Sequence, residues 1–191
     1  ITSWGHFGQA ETHDAFWGPR QVAVDAKGRV FITDTGNKRV VVFTSDGEYI
    51  TEFGGYGLEL GRMDEPVGIA IAPDQTIYIA DTWNQRIQAF KEQSENFFAP
   101  LRDWEIVGWY GQSLDNKPYI TVNPQGHVFS SDPEGYRILE FDPEGKYIRS
   151  WGDFSNSLEG FGIVNGLAAD DKGGIWVCDT TNHRLLYFIL P

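Results

Sequence analysis

A short motif that recurs four times constrains the fold of this 191-residue chain more than any other feature of its sequence. In each copy an Asp is followed by an Arg five positions later and by a Phe nine positions later. The Asp and Arg residues of the four copies are Asp34 and Arg39, Asp81 and Arg86, Asp132 and Arg137, and Asp179 and Arg184. Successive Asp residues lie 47, 51 and 47 positions apart. A period of this length is typical of proteins built from one repeated supersecondary unit.

Each repeat unit is predicted to form four short β-strands. In the first unit, Gln21–Asp25 is followed by Val30–Thr33 and Arg39–Phe43, which are rich in β-branched and aromatic residues. Asp46-Gly47 predicts a hairpin turn before the last strand, Tyr49–Phe53. No stretch of the chain shows a sustained helical period, so we expect little helix. The sequence therefore predicts an all-β fold, a β-propeller of four-stranded antiparallel blades with four blades in this chain.

Charge and composition exclude several classes of function. The chain has 27 acidic residues against 15 basic ones and a net charge of −12, which disfavours nucleic-acid binding and favours cationic partners. No apolar run approaches the roughly 20 residues that a membrane-spanning helix needs. The single cysteine, Cys178, has no partner for an internal disulfide. It lies in an apolar, strand-like run, so we expect a buried and inert thiol.

The recurring Asp and Arg residues are interpreted as structural. An Asp at the end of a strand can accept hydrogen bonds from the backbone of the following turn. The Arg can reach a carboxylate or backbone carbonyls through its rigid fork of donors. Because the pair recurs in register in every unit, whereas catalysis needs one asymmetric constellation, four catalytic pairs are disfavoured. The recurring Phe residues are expected to pack between blades.

The motif resembles the hallmark of the NHL-repeat family, a strand followed by Asp-x-x-Asn-x-Arg and a strand ending in Phe. Copies stand at Asp34, Asp81 and Asp179, whereas the third copy has Gly135 in place of the Asn. Residues 81–88 and 132–137 look like bacterial NHL modules fused to large membrane proteins. The resemblance implies a propeller that usually has six blades, and an extracytoplasmic domain of a bacterial membrane-associated protein.

The repeat register divides the single predicted domain, residues 1–191, into blades. The predicted pieces are an outer strand at 1–5, blades at 19–54, 66–111 and 117–152, and a fourth blade at 164–191 that lacks its outer strand. Two alternatives follow for the ring. Either Ile1–Trp4 pairs beside Leu185–Leu190 and closes four blades, which removes the open sheet edges, or the parent chain or a partner completes a larger ring. The second alternative is slightly favoured.

The resemblance also raises the question of an enzyme, because some NHL-like and gluconolactonase-like propellers are metal-dependent lyases or hydrolases. A metal in the central channel would need several His or carboxylate ligands from the innermost strands, and these strands carry small and apolar residues here. The sequence therefore favours a non-enzymatic binding scaffold with no cofactor. The cofactor considered as an alternative is a weakly held calcium ion at Glu65 and Asn165. A metal-dependent channel enzyme and a structural appendage of a membrane enzyme remain as alternative functions.

Binding is expected at loops, because propellers present inter-strand loops to their ligands. The candidate binding residues in the motif turns and at the blade entrances are Arg20, Trp83, Glu134, Tyr136, Asn165 and Thr181. Trp83 either packs on a neighbouring blade or is presented to a protein or small-molecule ligand. The second blade carries an insertion at 91–100, which is either a rim loop with Phe97 and Phe98 folded back or a partner contact. The sequence does not determine whether the motif turns and the blade entrances lie on one face of the propeller.

Overall fold

The computed structural model describes residues 1, 3–109 and 117–190, and every regular element in these residues is a β-strand. The first sheet comprises β3 (Pro19–Val24), β4 (Val30–Asp34), β5 (Arg39–Phe43) and β6 (Tyr49–Gly54). The second comprises β7 (Pro66–Ile71), β8 (Ile77–Asp81), β9 (Arg86–Ser94) and β10 (Phe97–Glu105). The third comprises β11 (Ile120–Val122), β12 (Val128–Asp132), β13 (Arg137–Phe141) and β14 (Tyr147–Trp151). The fourth comprises β15 (Val164–Ala169), β16 (Ile175–Asp179) and β17 (Arg184–Phe188).

These sheets are antiparallel blades in simple up-and-down order, and together they form a four-blade β-propeller. The first strand of each blade is innermost, and β3, β7, β11 and β15 pack on one another in that order around the centre. A short parallel pair, β1 (His6–Phe7) and β2 (Ala15–Phe16), precedes the first blade. In the part of the chain that the structure describes, no helix is long and apolar enough to cross a membrane.

Local chemistry explains the tight hairpins between the first two strands of the blades. In the first blade, Asp25 Oδ1 accepts hydrogen bonds from the backbone N–H groups of Lys27 at 2.9 Å and Arg29 at 2.8 Å. Gly28 takes a φ of +78°, which costs little without a Cβ. Asn123 and Asp170 accept equivalent bonds in the third and fourth blades. These Asx turns fix the strand register that places the motif Asp at the other end of the blade.

Apolar side chains fill the three spaces between successive blades. Between the first and second blades, Phe31 and Val40 pack against Ile69 and Ile79. Equivalent buried clusters lie between the second and third blades and between the third and fourth. Burial of these β-branched and aromatic residues supplies the main favourable term that holds the blades together.

The recurring Phe residues are part of this packing, which confirms the expectation from sequence. An aromatic residue of each outer strand contacts the Phe of the following blade, with ring centroids 5.0 to 5.8 Å apart. The pairs are Phe53 with Phe90, Trp104 with Phe141, and Trp151 with Phe188. Trp4 contacts Phe43 at 6.2 Å in the same way, although no further strands precede it in the described residues.

Of the two alternatives for the ring, the pairing of Ile1–Trp4 beside Leu185–Leu190, which was the less favoured, is absent among the described residues. The fourth sheet has three strands, and the outer edge of β17 has no neighbouring strand among the described residues. Trp4 instead packs on Phe43 of the first blade, in the same way as Trp104 and Trp151 of other outer strands pack on the Phe of the next blade. The first and fourth blades therefore leave exposed apolar faces, with Val22 at 58% and Leu185 at 65% exposure.

The insertion in the second blade lengthens a hairpin rather than forming a separate loop. Strands β9 and β10 continue through residues 91–100, and Phe98 is buried against Phe31 and Phe53 of the first blade. Phe97 is exposed. The outer strand β10 ends at Glu105, short of the predicted end of the blade at residue 111, and its Trp104 pairs with Ile87.

Charged residues join the long hairpin to the first blade. Glu92 accepts hydrogen bonds from both terminal nitrogens of Arg29, at 2.8 and 2.9 Å, and from Lys27 at 2.7 Å. Arg29 also pairs with Asp25 and lies over the rings of Phe31 and Phe98. The bonds from Arg29 and Lys27 hold the pKa of Glu92 far below its ordinary value. The insertion thus clamps the first two blades together.

Candidate functional site

The motif residues form a hydrogen-bonded cluster at one end of each blade. In the second blade, Asp81 Oδ1 accepts a bond of 2.7 Å from the backbone N–H of Asp64, in the loop that enters the blade. Its Oδ2 accepts bonds from Asn84 at 2.9 Å and from Arg86 Nε at 2.8 Å. The other side of the Arg86 guanidinium donates to the carbonyls of Glu59 and Arg62 in the same loop. Burial raises the pKa of Asp81, and these donors oppose that effect.

The same cluster recurs in the first and fourth blades. Asp34 accepts bonds from the backbone of Trp17 and from the side chains of Asn37 and Arg39. Asp179 does so with Gly162, Asn182 and Arg184. The motif therefore ties the turn of a blade to the loop that enters it, and turns and entrances share one end of the propeller. We call this end the loop face; it comprises the motif turns 34–39, 81–86, 132–137 and 179–184 and the entering loops 5–18, 54–65, 117–119 and 152–163.

The third blade departs from this pattern because Gly135 replaces the Asn. Asp132 Oδ1 accepts a bond from the backbone N–H of Gly135 itself at 3.2 Å, and its Oδ2 accepts one from Arg137 Nε at 2.8 Å. The Arg137 side chain is 38% exposed, against 6% for Arg39. Among the described residues, Arg137 therefore has the most exposed side chain of the four motif Arg residues.

One turn position has a left-handed backbone in every copy. It follows the motif Asp by four residues and holds Lys38, Gln85, Tyr136 and His183, with φ between 52° and 60°. Such a conformation is uncommon for a non-glycine residue and carries strain for an aromatic one. The Tyr136 ring packs on Phe154 of the next entering loop at 4.7 Å, so the unusual backbone aims this side chain along the loop face.

Trp83 is the centre of the best-defined cluster on the loop face. Its side chain is 56% exposed, and Lys117 Nζ from the third blade lies 5.5 Å from its ring centroid. Lys117 is almost fully buried and forms an ion pair of 2.8 Å with Glu65 Oε2. Burial raises the pKa of Glu65, but hydrogen bonds from Lys117 and Trp83 outweigh this and leave the pKa below its ordinary value. Trp83 thus contacts Lys117 of the next blade while more than half of its surface is exposed to solvent.

The remaining predicted binding residues are spread over the other three blades. Arg20 is exposed at the side of the first blade, where it lines a cavity of about 340 Å³ with Trp4 and Val22. Glu134 is exposed in the third motif turn. Thr181 Oγ1 accepts a bond from the backbone of the fourth entering loop. Asn165 lies on β15 and its Oδ1 is buried without a hydrogen-bond partner among the described residues. The structure therefore does not gather the six into one pocket.

Three exposed aromatic residues of the loop face were missed by the sequence reasoning. Phe7, Tyr56 and Phe154 occupy the same position in the loops that enter the first, second and fourth blades and are 71 to 76% exposed. Each belongs to a parallel bridge that closes its loop, so the loop backbone is held while the ring faces solvent. The sequence contained a signal, because each lies two residues after a glycine: Gly5 ends the predicted outer strand 1–5, Gly54 ends β6, and Gly152 directly follows β14.

Metal binding needs several ligand side chains that lie close together. No group of three or more His, Cys, Asp or Glu side chains is placed to hold a metal ion among residues 1, 3–109 and 117–190. Glu65, which was considered as a calcium ligand, already accepts a hydrogen bond from the ammonium group of Lys117. The positive charge of Lys117 would repel a calcium ion bound beside it.

At the end opposite the loop face, the first hairpins of all four blades surround a cavity of about 350 Å³. Cys178 is exposed, contrary to expectation, because the blade face that carries it is uncovered.

The four blades, their Asp–Arg clusters and their exposed loop face define a β-propeller of the repeat type. The family model described as "NHL repeat" matches three of its repeats, at residues 16–43, 63–90 and 161–188. Three of the four blades therefore carry NHL repeats. The third blade lies outside these matches, in agreement with its Gly135.

Curated proteins with similar sequences are much longer than this chain. Peptidyl-glycine alpha-amidating monooxygenase of Mus musculus is 25% identical over 92% of this chain and 18% of its own length. NHL repeat-containing protein 3 of Homo sapiens is 24% identical over 87% of this chain and 50% of its own length. Among solved structures, virginiamycin B lyase from Staphylococcus aureus superposes with a TM-score of 0.59 and 14% identity, over 89% of this chain and 55% of that one. At this identity the likeness concerns the fold alone.

Proposed function

We propose that this chain is a non-enzymatic recognition scaffold that binds a peptide segment of a protein partner on its loop face. The observation that carries the proposal is the exposure of Trp83 together with its support. The buried ammonium of Lys117 lies over the indole of Trp83, and the Glu65 carboxylate accepts a hydrogen bond from the same indole. These contacts hold the ring in place while more than half of the Trp83 surface stays in water. A rigid, exposed aromatic residue loses little entropy when it is covered, which is why such residues act as anchors in interfaces.

The entering loops add to this anchor. Tyr56 lies on the loop that enters the same blade as Trp83, Phe154 lies on the loop that enters the fourth blade, and both are more than 70% exposed. Isolated exposed apolar residues need no explanation, but three aromatic residues at one repeat position on a common face favour an interaction surface. The net charge of −12 favours a partner segment that carries Lys or Arg beside its apolar residues.

A selection from a random peptide library against the purified chain tests the proposal. Selected peptides should be enriched in basic and aromatic residues, and Trp83→Ala should weaken their binding at least about 30-fold, as for an interface hot spot. Tyr147→Ala is the matched control, since Tyr147 is 53% exposed in a hairpin that follows the third strand, away from the loop face. Peptides that bind Trp83→Ala as tightly as the parent chain, or no enriched peptides at all, would contradict the proposal.

A further inference from the structure

The indole ring of Trp83 offers one free face to a ligand. Lys117 Nζ lies over the ring, 5.5 Å from its centroid, and the Lys117 side chain is only 2% exposed. Trp83 is nevertheless 56% exposed, so most of its exposed surface belongs to the face turned away from Lys117. A planar face of this kind can stack with a flat side chain of a partner, or it can attract a cation. The charges around Trp83 decide between these two ligand classes.

The charged groups beside Trp83 are balanced within the protein. Glu65 accepts a hydrogen bond of 2.8 Å from the ammonium of Lys117 and another from the Trp83 indole. Asp64, the preceding residue, accepts one of 2.6 Å from the ammonium of Lys38. Two carboxylates therefore face two ammonium groups, and these four groups carry no net charge. They do not attract a further cation, although the chain as a whole has a net charge of −12.

The Lys117 ammonium also weakens the attraction of the free indole face for a cation. It already uses the negative potential of the ring, and a partner cation stacked at the same distance on the other face would lie about twice 5.5 Å from Nζ. An aromatic side chain has no charge for Lys117 to repel. Such a side chain gains from offset stacking and from the burial of apolar surface. The free face of Trp83 therefore favours an aromatic side chain over Lys or Arg.

A carboxylate without an ion pair lies on the loop that packs against the Trp83 turn. Glu59 is exposed and forms no salt bridge with another described residue. Its backbone carbonyl accepts a bond of 3.1 Å from Arg86, and the carbonyl of Gly57 in the same loop accepts one of 2.9 Å from Asn84. Arg86 and Asn84 belong to the motif turn that carries Trp83, so these bonds hold the Glu59 backbone against this turn. Glu59 can therefore receive a basic residue of a ligand that also covers Trp83.

We propose that a partner segment bound at the loop face places an aromatic side chain on the free face of Trp83 and a Lys or Arg against Glu59, which rests on the proposed function. The aromatic residue supplies buried apolar area, whereas the basic residue supplies an attraction that salt weakens. Substitutions of Trp83 and of Glu59 should therefore affect different parts of the ligand.

Two capped, fluorophore-labelled pentapeptides that differ in one residue test this division: Lys-Gly-Tyr-Gly-Lys and Lys-Gly-Arg-Gly-Lys. Their binding is followed by fluorescence anisotropy at physiological salt. Trp83→Ala should raise the dissociation constant of the tyrosine peptide at least about 5-fold and that of the arginine peptide less than about 2-fold. Glu59→Gln should raise both constants by about 2- to 5-fold, and high salt should remove this difference.

Glu95→Gln is the matched control, because it removes the same charge from an exposed position of the same blade, at the hairpin tip away from the loop face. It should change neither constant by more than about 1.5-fold. All three positions are exposed, so circular dichroism should show an unchanged fold.

A Trp83→Ala variant that weakens the arginine peptide as much as the tyrosine peptide, or more, would overturn the proposal and leave the loop face as the binding surface. Absence of measurable binding of the tyrosine peptide to the wild-type chain would also overturn it. The loop face itself is tested separately by the library selection, in which Trp83→Ala must weaken the selected peptides whatever residue covers the indole.

Discussion

Removal of the motif Arg from the second blade should destabilise the propeller through one defined set of lost hydrogen bonds. Arg86 donates to the carboxylates of Asp81 and Asp103 and to the carbonyls of Glu59 and Arg62. Asp103 is 37% exposed, so water replaces that bond at little cost. Asp81 is fully buried and keeps three other donors after the change.

The expected loss is therefore set mainly by one weakened buried carboxylate, because water can reach the carbonyls of Glu59 and Arg62 and the Arg62 carbonyl keeps its bond from Gln88. Weakening a buried charged group places Arg86→Ala at roughly 1–3 kcal/mol. Urea unfolding followed by circular dichroism measures this loss, provided that the slope of the free energy against denaturant stays constant. The m-value matters because repeat proteins can lose cooperativity.

The third blade provides the matched control. Among the described residues Arg137 bonds Asp132 alone, and its side chain is 38% exposed against 12% for Arg86, so Arg137→Ala should cost only about 1 kcal/mol. Equal losses for the two variants would refute the reasoning that the greater burial of Arg86 sets the difference. A loss below about 0.5 kcal/mol for Arg86→Ala would refute the structural role altogether.

Three further predictions concern the clamp and the loop face. The pKa of Glu92 lies below its ordinary value of 4.5, so the stabilising effect of its charge is complete above pH 4.5 and fades as the pH falls further. The difference in unfolding free energy between the wild type and Glu92→Gln should therefore shrink in acid. A difference that stays constant with pH would contradict this prediction. Phe98→Ala should lower the free energy of unfolding in urea by about 3 kcal/mol or more, because the ring is buried between two blades. Phe97→Ala, at an exposed position of the same hairpin, should change the free energy of unfolding by no more than about 0.5 kcal/mol. Similar losses for the two variants would show that the hairpin does not clamp the blades. Lys117→Met removes the cation next to the Trp83 indole, so the fluorescence of that indole should change and peptide binding at the loop face should weaken. A Lys117→Met variant with unchanged fluorescence and unchanged peptide binding would place Trp83 outside the binding surface.

The fold was predictable because the information for a blade is local. Alternating β-branched residues, Asp-Gly and Asx turns, and a motif that recurs in register all act within about 50 residues of chain. The strands of the first and third blades lie within a few residues of their predicted bounds. The second blade differed because the register after Phe90 depends on Pro100 and on the packing of Trp104, which no periodicity reveals.

The binding residues were less predictable because exposure depends on neighbouring blades. Trp83 was singled out as conspicuous, but its contact with Lys117 joins residues 34 positions apart in sequence and on adjacent blades. Arg20 and Asn165 lie on the innermost strands of the first and fourth blades and line no common pocket with Trp83. The aromatic residues Phe7 and Tyr56 were overlooked because their position relative to the outer strand has meaning only once the loops are closed.

The sequence by itself determined the class of fold, the number of repeats and the structural nature of the Asp and Arg residues. These follow from short-range physics: strand propensity, turn chemistry and the recurrence of one hydrogen-bonded cluster. Only the tertiary structure decided where Ile1–Trp4 lies, which blade faces stay open and how residues 91–100 join two blades. Those features depend on which sheets pack against one another, since an apolar side chain on a strand is equally suited to a covered face or an exposed one until its neighbour is in place.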